Sequence, residues 1–553
     1  MERNILKSSL EYASFRIIFQ ILFRCVTFIL NAWILRIVGA EVLGVMNVRL
    51  LLLESTLLFL CKEPCIKACQ TNAKHLHWPQ VINQIWLTVP ACTALSIPLL
   101  YIWLNCLSAP RPELLRQYEL GCYSIVLSCI IEQITNVPYI IATSYCFVKT
   151  NICFDTLYTS IRTIIFVILT VQNKNDALKA FAIAQILSSI FLCALYYGFF
   201  WWYIRTINTI SKVDKKLIQN KSSIFSKMDD FHFKSIIDFF PGLMENKKSK
   251  FNKDLMILSI SFGKQCIVKQ VLTEGERYVM TISPVLTFSE QATYDVVNNL
   301  GSLAARFLFR PIEESAYFYF TQMVRRDTLI AKQDQTKIRE TSEVLSQLCA
   351  VVCSIGITVL IFGQSYSHCL LSLYGGETLT STNLPTTLLQ CHCIAIILLA
   401  INGVTEGYVF ATMDNKQLDR YNYLMVIFSI SFLLFSYILT YIMGPVGFIM
   451  ANCINMSARI AHSCYFISNQ YRDTSFRPLN GLVPKKSFFV ILITSGVLVK
   501  LSEIYVYPAS MIIHIAFGAV LFAICLVCWM YENQSLLKLG IERYRKRSIV
   551  KID

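Results

Sequence analysis

Residues 264–314 of this chain read KQCIVKQVLTEGERYVMTISPVLTFSEQATYDVVNNLGSLAARFLFRPIEE. The stretch is mostly apolar and long enough for two membrane helices, yet ionisable side chains recur along it. They are Lys264, Lys269, Glu274, Glu276, Arg277, Glu290, Asp295, Arg306, Arg310, Glu313 and Glu314. A charge at the centre of a bilayer costs about 2.5–3.5 kcal/mol on insertion scales. We therefore expect two membrane helices whose ionisable groups face an aqueous or ligand-filled cavity.

The polar residues of this stretch recur at helical spacing. One face, with steps of i, i+4 and i+11, holds Gln265, Lys269 and Glu276. A second face, with steps of 4, 4 and 3, holds Ser302, Arg306, Arg310 and Glu313. Neighbours such as Glu276 and Arg277 could instead pair only with each other inside a helix bundle. The set as a whole favours a shared polar cavity.

Composition places the chain among polytopic membrane proteins. Its 553 residues are 55% hydrophobic and 15% charged, and the mean hydropathy is +0.52, which excludes a string of soluble domains. The net charge of +15 is better explained by membrane topology than by nucleic-acid binding. The cysteines lie mostly inside apolar runs, where they act as small hydrophobic residues rather than as a disulfide framework.

No catalytic, metal or cofactor site is expected. Cys391-His392-Cys393 looks like part of a metal site, but cysteine ligands usually come as CxxC pairs with a second pair elsewhere, so helix packing is preferred. The chain has no Gly-rich phosphate loop and no ATPase motif. A membrane glycosyltransferase needs a large lumenal loop with acidic metal ligands, whereas the first lumenal turn here is only Gly39-Ala40-Glu41. We therefore expect a protein that is not an enzyme.

Apolar runs of about 20 residues, the length that crosses a bilayer, predict an all-α protein of fourteen transmembrane helices. Twelve is the alternative, because the seventh, eighth and tenth runs are more polar. The first run is too long for a cleavable signal and is expected to act as a signal anchor. The predicted crossings lie near 15–38, 43–61, 81–107, 118–146, 152–171, 177–203, 252–281, 291–321, 345–367, 385–412, 421–441, 445–468, 487–506 and 509–531.

The distribution of Lys and Arg predicts the orientation. Most of them follow even-numbered crossings, as in residues 205–250 and 538–551. The loops after odd-numbered crossings hold only Arg111, Arg116, Lys174 and Lys179. Because cytosolic loops carry an excess of Lys and Arg, both termini are expected in the cytosol.

The chain is expected to form two six-helix lobes around a central polar cavity, followed by two C-terminal helices. The predicted segments are an N-lobe (1–204), a basic and partly disordered cytosolic loop (205–251), a C-lobe (252–470), a cytosolic linker (471–486), helices thirteen and fourteen (487–531) and a basic cytosolic tail (532–553). The first crossing carries Gln20, Arg24 and Asn31 at the spacing of Gln265, Lys269 and Glu276. This echo suggests parallel repeats.

The intramembrane residues favour an anionic lipid with a sugar head. Arginine binds two phosphate oxygens at once, and carboxylates and amides can hold those arginines or bond sugar hydroxyls. The head would enter the cavity while the tail stays in the bilayer, guided by the last two helices. The candidate cavity residues are Arg24, Asn31, Arg49, Lys269, Glu276, Arg277, Asp295, Asn298, Asn299, Arg306, Arg310, Glu313 and Glu406.

Several long strings resemble the endoplasmic-reticulum family of Man5GlcNAc2-PP-dolichol translocation proteins. In this sequence they are Leu22-Phe23-Arg24 through Leu30-Asn31-Ala32, Val45-Met46-Asn47-Val48-Arg49-Leu50, residues 272–280 (LTEGERYVM), residues 294–302 (YDVVNNLGS), Pro311-Ile312-Glu313-Glu314-Ser315, Cys391-His392-Cys393 and residues 400–406 (AINGVTE). The family pattern usually has a basic pair where this chain has Pro64-Cys65-Ile66-Lys67, which leaves a phosphate contact there in doubt.

The resemblance implies the fold of the superfamily that contains bacterial lipid II flippases and multidrug/toxin extrusion transporters. It also implies a multi-pass protein of the endoplasmic-reticulum membrane that moves the dolichyl-diphosphate oligosaccharide from cytosol to lumen for N-linked glycosylation. The expected partners are this glycolipid and membrane lipids, with no nucleic acid and no cofactor. Two alternatives are a non-transporting scaffold that binds the same glycolipid and an ion-coupled exporter of small molecules.

Overall fold

The structure, a computed structural model, is all-helical and contains no strand over the residues that it describes. These are 32–71, 77–108, 110–145, 147–209, 231–244, 250–282, 286–326 and 328–534. Within them, 10 helices are long and apolar enough to cross a membrane, or 11 if the helix bent by 59° between Lys253–Val271 and Thr273–Ile282 is one span. The expected all-α polytopic architecture is confirmed, whereas the count of fourteen crossings stays a prediction.

The chain divides by its internal contacts into two units, Met1–Ala292 and Thr293–Asp553. The division falls inside helix α10. The helices up to this point are α1 (Ala40–Gly44), α2 (Leu51–Thr71), α3 (Trp78–Trp86), α4 (Thr88–Tyr101), α5 (Pro112–Ile134), α6 (Asn136–Ser144), α7 (Val148–Gln172), α8 (Ala177–Thr209), α9 (Lys253–Ile282) and α10 (Phe288–Ala304). In the first unit α2 packs along α9, and α8 packs against α5 and α7.

The second unit is built around a long helix, α12. This helix packs against α14, which in turn packs against α16, while α17 and α18 pair with each other and α17 contacts α12. The helices are α11 (Arg310–Met323), α12 (Gln335–Gly375), α13 (Glu377–Thr380), α14 (Leu384–Thr412), α15 (Asn415–Met443), α16 (Val446–Gln470), α17 (Lys486–Tyr505) and α18 (Met511–Glu532).

Two predicted crossings are interrupted by π-helical segments, Val45–Leu50 and Ala305–Phe309, and a third ends in the π-helical segment Ile102–Cys106. A π-helical turn inserts an extra residue and occurs frequently at functional sites. Two of these segments contain a residue predicted to line the cavity, namely Arg49 and Arg306. The apolar pattern of the sequence did not predict these interruptions.

Residues 231–244, which we call the strap, pack against the first unit although they lie in the predicted basic loop. Ser235 and Asp238 form a capping box around the short helix Ile236–Phe239. The Phe239 ring is fully buried and lies 5.2 Å from the Phe200 ring and 5.1 Å from the Phe233 ring. The loop composition predicted partial disorder and did not predict this aromatic core.

Candidate functional site

Arg49 is a buried cation without a carboxylate partner among the described residues. The residue is 0% exposed, and its Nη2 donates to Ser108 Oγ over 2.7 Å. Its Nε and Nη1 have no hydrogen-bond partner in the described part of the chain. Its guanidinium carbon lies 5.3 Å from the centre of the Phe288 ring. A buried charge with two unused donors suits an anion that can accept both hydrogen bonds.

The backbone around Arg49 is tied to its neighbours. Trp103 Nε1 donates to the Arg49 carbonyl over 3.0 Å, and the Tyr118 hydroxyl donates to the Trp103 carbonyl over 3.1 Å. Because Trp103 lies in a second π-helical segment and Tyr118 in α5, three elements meet at this residue. The position of Arg49 is therefore fixed by the fold rather than by an ion pair.

Helix α9 brings further predicted residues against α2. Arg277 Nη1 lies 3.2 Å from Glu274 Oε2, and Ser55 Oγ donates to Glu274 Oε1 over 3.2 Å. The Lys269 ammonium lies 5.8 Å from the centre of the Phe59 ring. Glu276 is half-buried. Arg277 is thus held in part by Glu274 on its own helix, an acid other than the Glu276 that the sequence offered as its partner.

The predicted residues at 295–310 belong to the second unit. Asp295 is buried and accepts a hydrogen bond from Asn299 Nδ2 over 3.3 Å. Asn298 is half-buried, and Arg310 is exposed at the start of α11. The side chain of Arg306 lies outside the described part of the structure, as do Arg24 and Asn31.

Glu313 lies against two glycines of α14. A Cβ atom placed on Gly403 would be 3.0 Å from Glu313 Oε2, and one on Gly407 would be 3.7 Å from Glu313 Cγ. The carboxylate therefore occupies space that larger residues would fill. It also lines a cavity of about 360 Å³, which we call the Glu313 cavity. Its lining residues are Glu313, Tyr317, Arg326, Gly407, Phe410 and Leu418.

Glu406 is held by a buried network that joins α14, α15 and α16. Its two oxygens receive Arg459 Nε at 3.2 Å and Arg459 Nη2 at 2.5 Å. The Tyr421 hydroxyl donates to Oε1 over 2.5 Å, and Asn402 Nδ2 donates to Oε2 over 3.0 Å. With both oxygens engaged, Glu406 fixes the arrangement of three helices.

Tyr408, two residues after Glu406, makes a second set of contacts between α14 and the end of α16. The Tyr408 hydroxyl donates to Gln470 Oε1 over 3.1 Å and contacts the Tyr471 hydroxyl at 3.2 Å. Burial raises the pKa of Tyr471, which follows α16, to about 12. This phenol therefore keeps its proton throughout the physiological pH range.

A comparable network fixes the first unit around Glu54. Arg162 Nη1 lies 3.3 Å from Glu54 Oε1, and Gln185 Nε2 donates to the same oxygen over 2.8 Å. Gln185 also reaches Ser128 Oγ at 3.3 Å. Four helices, α2, α5, α7 and α8, are joined by this buried ion pair and its hydrogen bonds.

An apolar cavity of about 410 Å³ lies in the second unit between α12, α17 and α18. Its hydroxyl-bearing residues, Ser354 and Thr358, donate to carbonyls of their own helix over 2.7 Å, so the cavity offers apolar surface to a guest. Its larger lining side chains are Phe488, Phe522, Leu526 and Trp529.

The residues of Cys391-His392-Cys393 make close helix contacts. A Cβ atom on Gly301 would lie 2.0 Å from His392 Cδ2, and one on Gly363 would lie 2.4 Å from Cys393 Sγ. No group of three or more His, Cys, Asp or Glu residues has metal-binding geometry within the described ranges. These contacts agree with the packing interpretation of the motif.

Comparison with known families shows to which family this chain belongs. A model of the Rft-1 family, described as Rft protein, matches residues 8–543. This chain belongs to the Rft-1 family. The resemblance inferred from the sequence is thereby confirmed.

Relatives in this family match along nearly the whole chain. The Man(5)GlcNAc(2)-PP-dolichol translocation protein RFT1 of Drosophila melanogaster is 50% identical over 558 residues, covering 99% of both chains. The Mus musculus protein of the same name is 36% identical over 529 residues, covering 95% of this chain and 94% of its own. The Rft-1 family is thus one of translocation proteins and not of enzymes.

Solved structures show the fold of this Rft-1 chain. A multidrug resistance MATE family transporter of the MOP superfamily, in an inward-facing conformation, matches with a TM-score of 0.54 at 10% identity, covering 81% of this chain and 95% of that one. The lipid II flippase MurJ, in an inward closed conformation, matches with a TM-score of 0.49 at 12% identity, covering 93% and 99%. The MATE likeness confirms the expected transporter fold and carries no information on substrate.

Sequence reasoning missed two arginines of this Rft-1 chain. Arg162 and Arg459 each lie inside a long predicted crossing, and each pairs with an acid on another helix. A lone charge within an apolar run is a signal that the sequence does contain. The sequence does not show which acid pairs with this arginine, because spacing along one helix reveals only neighbours on that helix.

Proposed function

We propose that this chain carries Man5GlcNAc2-PP-dolichol from the cytosolic to the lumenal leaflet of the endoplasmic-reticulum membrane, as a step of N-linked glycosylation. In this proposal two lobes open a basic cavity alternately to the two sides, and no enzyme chemistry is involved. The relatives' names support the substrate. Arg49 is the observation that carries the proposal, because a fold rarely keeps a buried guanidinium with two unused donors unless an anion uses them.

A diphosphate matches the donors of Arg49. The unused Nε and Nη1 groups point to different sides of the planar guanidinium, so different oxygens of the diphosphate can each accept one of these hydrogen bonds. Lysine offers the same charge but not this geometry. We assign Arg49 to the diphosphate, with Arg24, Lys269, Arg277, Arg306 and Arg310 as further cations.

The neutral and acidic residues suit the sugars. Amides both donate to and accept from hydroxyl groups, and carboxylates accept from them. We assign the sugar contacts to Asn31, Glu276, Asp295, Asn298, Asn299 and Glu313. Glu406 is proposed to act indirectly, because Arg459 and Tyr421 already occupy its oxygens.

The polyisoprenoid tail needs apolar surface throughout the crossing. The cavity between α12, α17 and α18 has an apolar lining and a volume of about 410 Å³. Burial of apolar area contributes about 25 cal/mol per Å², and the lipid phase provides nearly the same environment. We therefore propose that this cavity guides the tail and contributes little to affinity.

Arg49→Gln tests the proposal in purified protein reconstituted in liposomes with labelled dolichol-linked oligosaccharide. Removal of charge-assisted hydrogen bonds is expected to lower transfer by roughly ten- to a hundredfold. The melting temperature should stay the same or rise, because the substitution removes an uncompensated buried charge. Arg49→Lys should recover only part of the activity.

Arg111→Gln is the matched control. Arg111 is exposed and pairs with Glu41 at 3.1 Å, so its loss should leave transfer unchanged. Normal transfer by Arg49→Gln would overturn the assignment of the diphosphate site. Wild-type protein that binds the glycolipid without moving it would instead identify a scaffold, and export of soluble cations would identify an ion-coupled exporter.

A further inference from the structure

We propose that a cavity between α2, α9 and the α3–α4 helix pair binds a membrane sterol through the sterol's hydroxyl group. The cavity lies wholly within the first unit and has a volume of about 350 Å³, which is within the range of roughly 300–1,000 Å³ typical of small-molecule sites. We call it the Gln84 cavity, and the lining residues that matter here are Leu60, Pro64, Gln84, Thr88, Met256 and Gly263. None of them is assigned to the glycolipid, so the site goes beyond the proposed function.

Gln84 is a buried amide whose hydrogen-bonding groups the protein leaves unused. The residue is 5% exposed and lines the cavity. Neither its Nε2 nor its Oε1 has a hydrogen-bond partner in the described part of the chain, and a buried polar group without a partner costs stability. An amide both donates and accepts, as a hydroxyl group does. Gln84 can therefore turn toward a hydroxyl without breaking any protein hydrogen bond.

Further neutral polar groups lie beside this amide. Thr88, four residues after Gln84, accepts a hydrogen bond from Asn136 Nδ2 over 3.2 Å, and Asn136 Oδ1 has no partner among the described residues. On α2, Pro64 has no N–H to donate, so the Leu60 carbonyl lacks its usual helical hydrogen bond. Leu60 and Pro64 both line the cavity. The walls thus combine one unused amide with uncharged acceptors.

The lining favours a neutral polar group over an ionic one. Among the described residues that line the cavity there is no Asp, Glu, Lys, Arg or His. A phosphate or ammonium head group would therefore find no ion partner there, whereas the strongest contacts of such groups are charge-assisted. A single hydroxyl needs only the donor and acceptor that Gln84 supplies. This chemistry is that of a membrane alcohol rather than of a phospholipid.

The cavity opens between apolar side chains on the outer face of the first unit. Met256 and Ile260 of α9 are 42% and 58% exposed, and both line the cavity. Gln84 stands near the start of the predicted crossing 81–107, and Met256 stands near the start of the predicted crossing 252–281. Both positions thus lie close to the same predicted membrane surface. A sterol places its hydroxyl at this depth and its rings in the hydrocarbon layer.

A rigid ring system suits the cavity better than a flexible chain. Gly263 lines the cavity, and a Cβ atom placed on it would meet open space, with no described neighbour within 4 Å. A flat ring can therefore approach the backbone of α9. A sterol loses little conformational freedom when it binds, whereas a polyprenol chain has to be ordered. Because lipid tails are as apolar as the protein wall, the hydroxyl and this rigidity decide the preference.

Photolabelling with a diazirine cholesterol analogue tests the site in full-length protein reconstituted in phosphatidylcholine liposomes. Peptide mass spectrometry should find the label on residues 84–95 or 256–263, and unlabelled cholesterol should compete. The methyl ether of the probe cannot donate a hydrogen bond and should label about three- to tenfold less. Gln84→Leu should reduce labelling by a similar factor. Its melting temperature should not fall, because the substitution removes an unpartnered buried amide.

Gly263→Leu fills the cavity and should reduce labelling of these residues by about tenfold or more. Leucine favours a helix more than glycine does, so this variant is expected to fold. Gly198→Leu is the matched control. Gly198 also lies inside a helix, α8, with open space around the position of its Cβ, and it does not line the cavity. This control should be labelled like the wild type.

Each alternative result contradicts a separate part of the proposal. Labelling that persists in Gly263→Leu overturns the site, and equal labelling by the methyl ether overturns the role of the hydroxyl. Competition by dolichol but not by cholesterol overturns the sterol assignment in favour of a polyprenol. Transfer of the glycolipid is measured separately in the same liposomes. Wild-type protein that is labelled at this site but transfers no glycolipid refutes the proposed function and leaves the sterol site standing.

Discussion

Among the arginines of the predicted crossings, Arg49, Arg162 and Arg459 differ in what neutralises their charge. Arg162 and Arg459 each pair with a buried acid on another helix. The Arg49 guanidinium donates to a serine hydroxyl and lies near an aromatic ring, and no carboxylate pairs with it among the described residues. A buried ion pair contributes to the specificity of packing, whereas an unpaired buried charge only costs stability. The same residue type therefore has a structural role at two positions and a proposed binding role at the third.

Arg459→Met is expected to destabilise the protein by about 3–5 kcal/mol, because it leaves the Glu406 carboxylate buried without its cation. Thermal unfolding in detergent, followed by tryptophan fluorescence, measures the change. The double variant with Glu406→Gln should recover much of the loss, since the uncompensated charge is then gone. Arg339→Met, which breaks an exposed pair, should cost at most about 1 kcal/mol. Equal melting temperatures for Arg459→Met and wild type would refute a structural role for the pair.

The elements themselves could largely be predicted from the sequence. Apolar runs of the length that crosses a bilayer predicted helices close to α7, α8, α14 and α18, whereas α12 extends beyond the predicted 345–367 at both ends. Some local features were not predicted, because a hydropathy pattern does not show where the backbone contains an extra residue. The π-helical segment that carries Arg49 is one example. The strap is another, since its aromatic residues contact rings on α3, on α8 and at Tyr145.

Phe239→Ala tests the strap as a structural element. The ring is fully buried against Phe200 and Phe233, so its removal is expected to cost about 3–5 kcal/mol. The melting temperature of the purified protein should fall, and limited proteolysis should cut within residues 231–244 more rapidly. Leu243→Ala is the control, because Leu243 is 59% exposed. Similar proteolysis of the two variants would mean that the strap does not depend on this ring.

At the scale of the whole molecule, the site could be predicted only in part. The sequence grouped charged residues within predicted helices, and the structure shows that Arg49 is buried and that Glu313 lines a cavity. Their roles in binding stay a prediction. The sequence could not show which acids pair with an arginine on another helix, as Glu406 does with Arg459. That pairing depends on contacts between helices distant in sequence, which no spacing rule contains.

The charge asymmetry of the chain predicts its orientation in the membrane. Lys and Arg concentrate after even-numbered predicted crossings, and membrane insertion retains such loops in the cytosol. Cysteines placed at two exposed loop positions test this in sealed microsomes, in a background with the exposed Cys106 and Cys153 replaced by serine. Asp473→Cys should react with a membrane-impermeant maleimide added outside, whereas Asn175→Cys should react only after the membrane is permeabilised. The reverse pattern would invert the predicted topology.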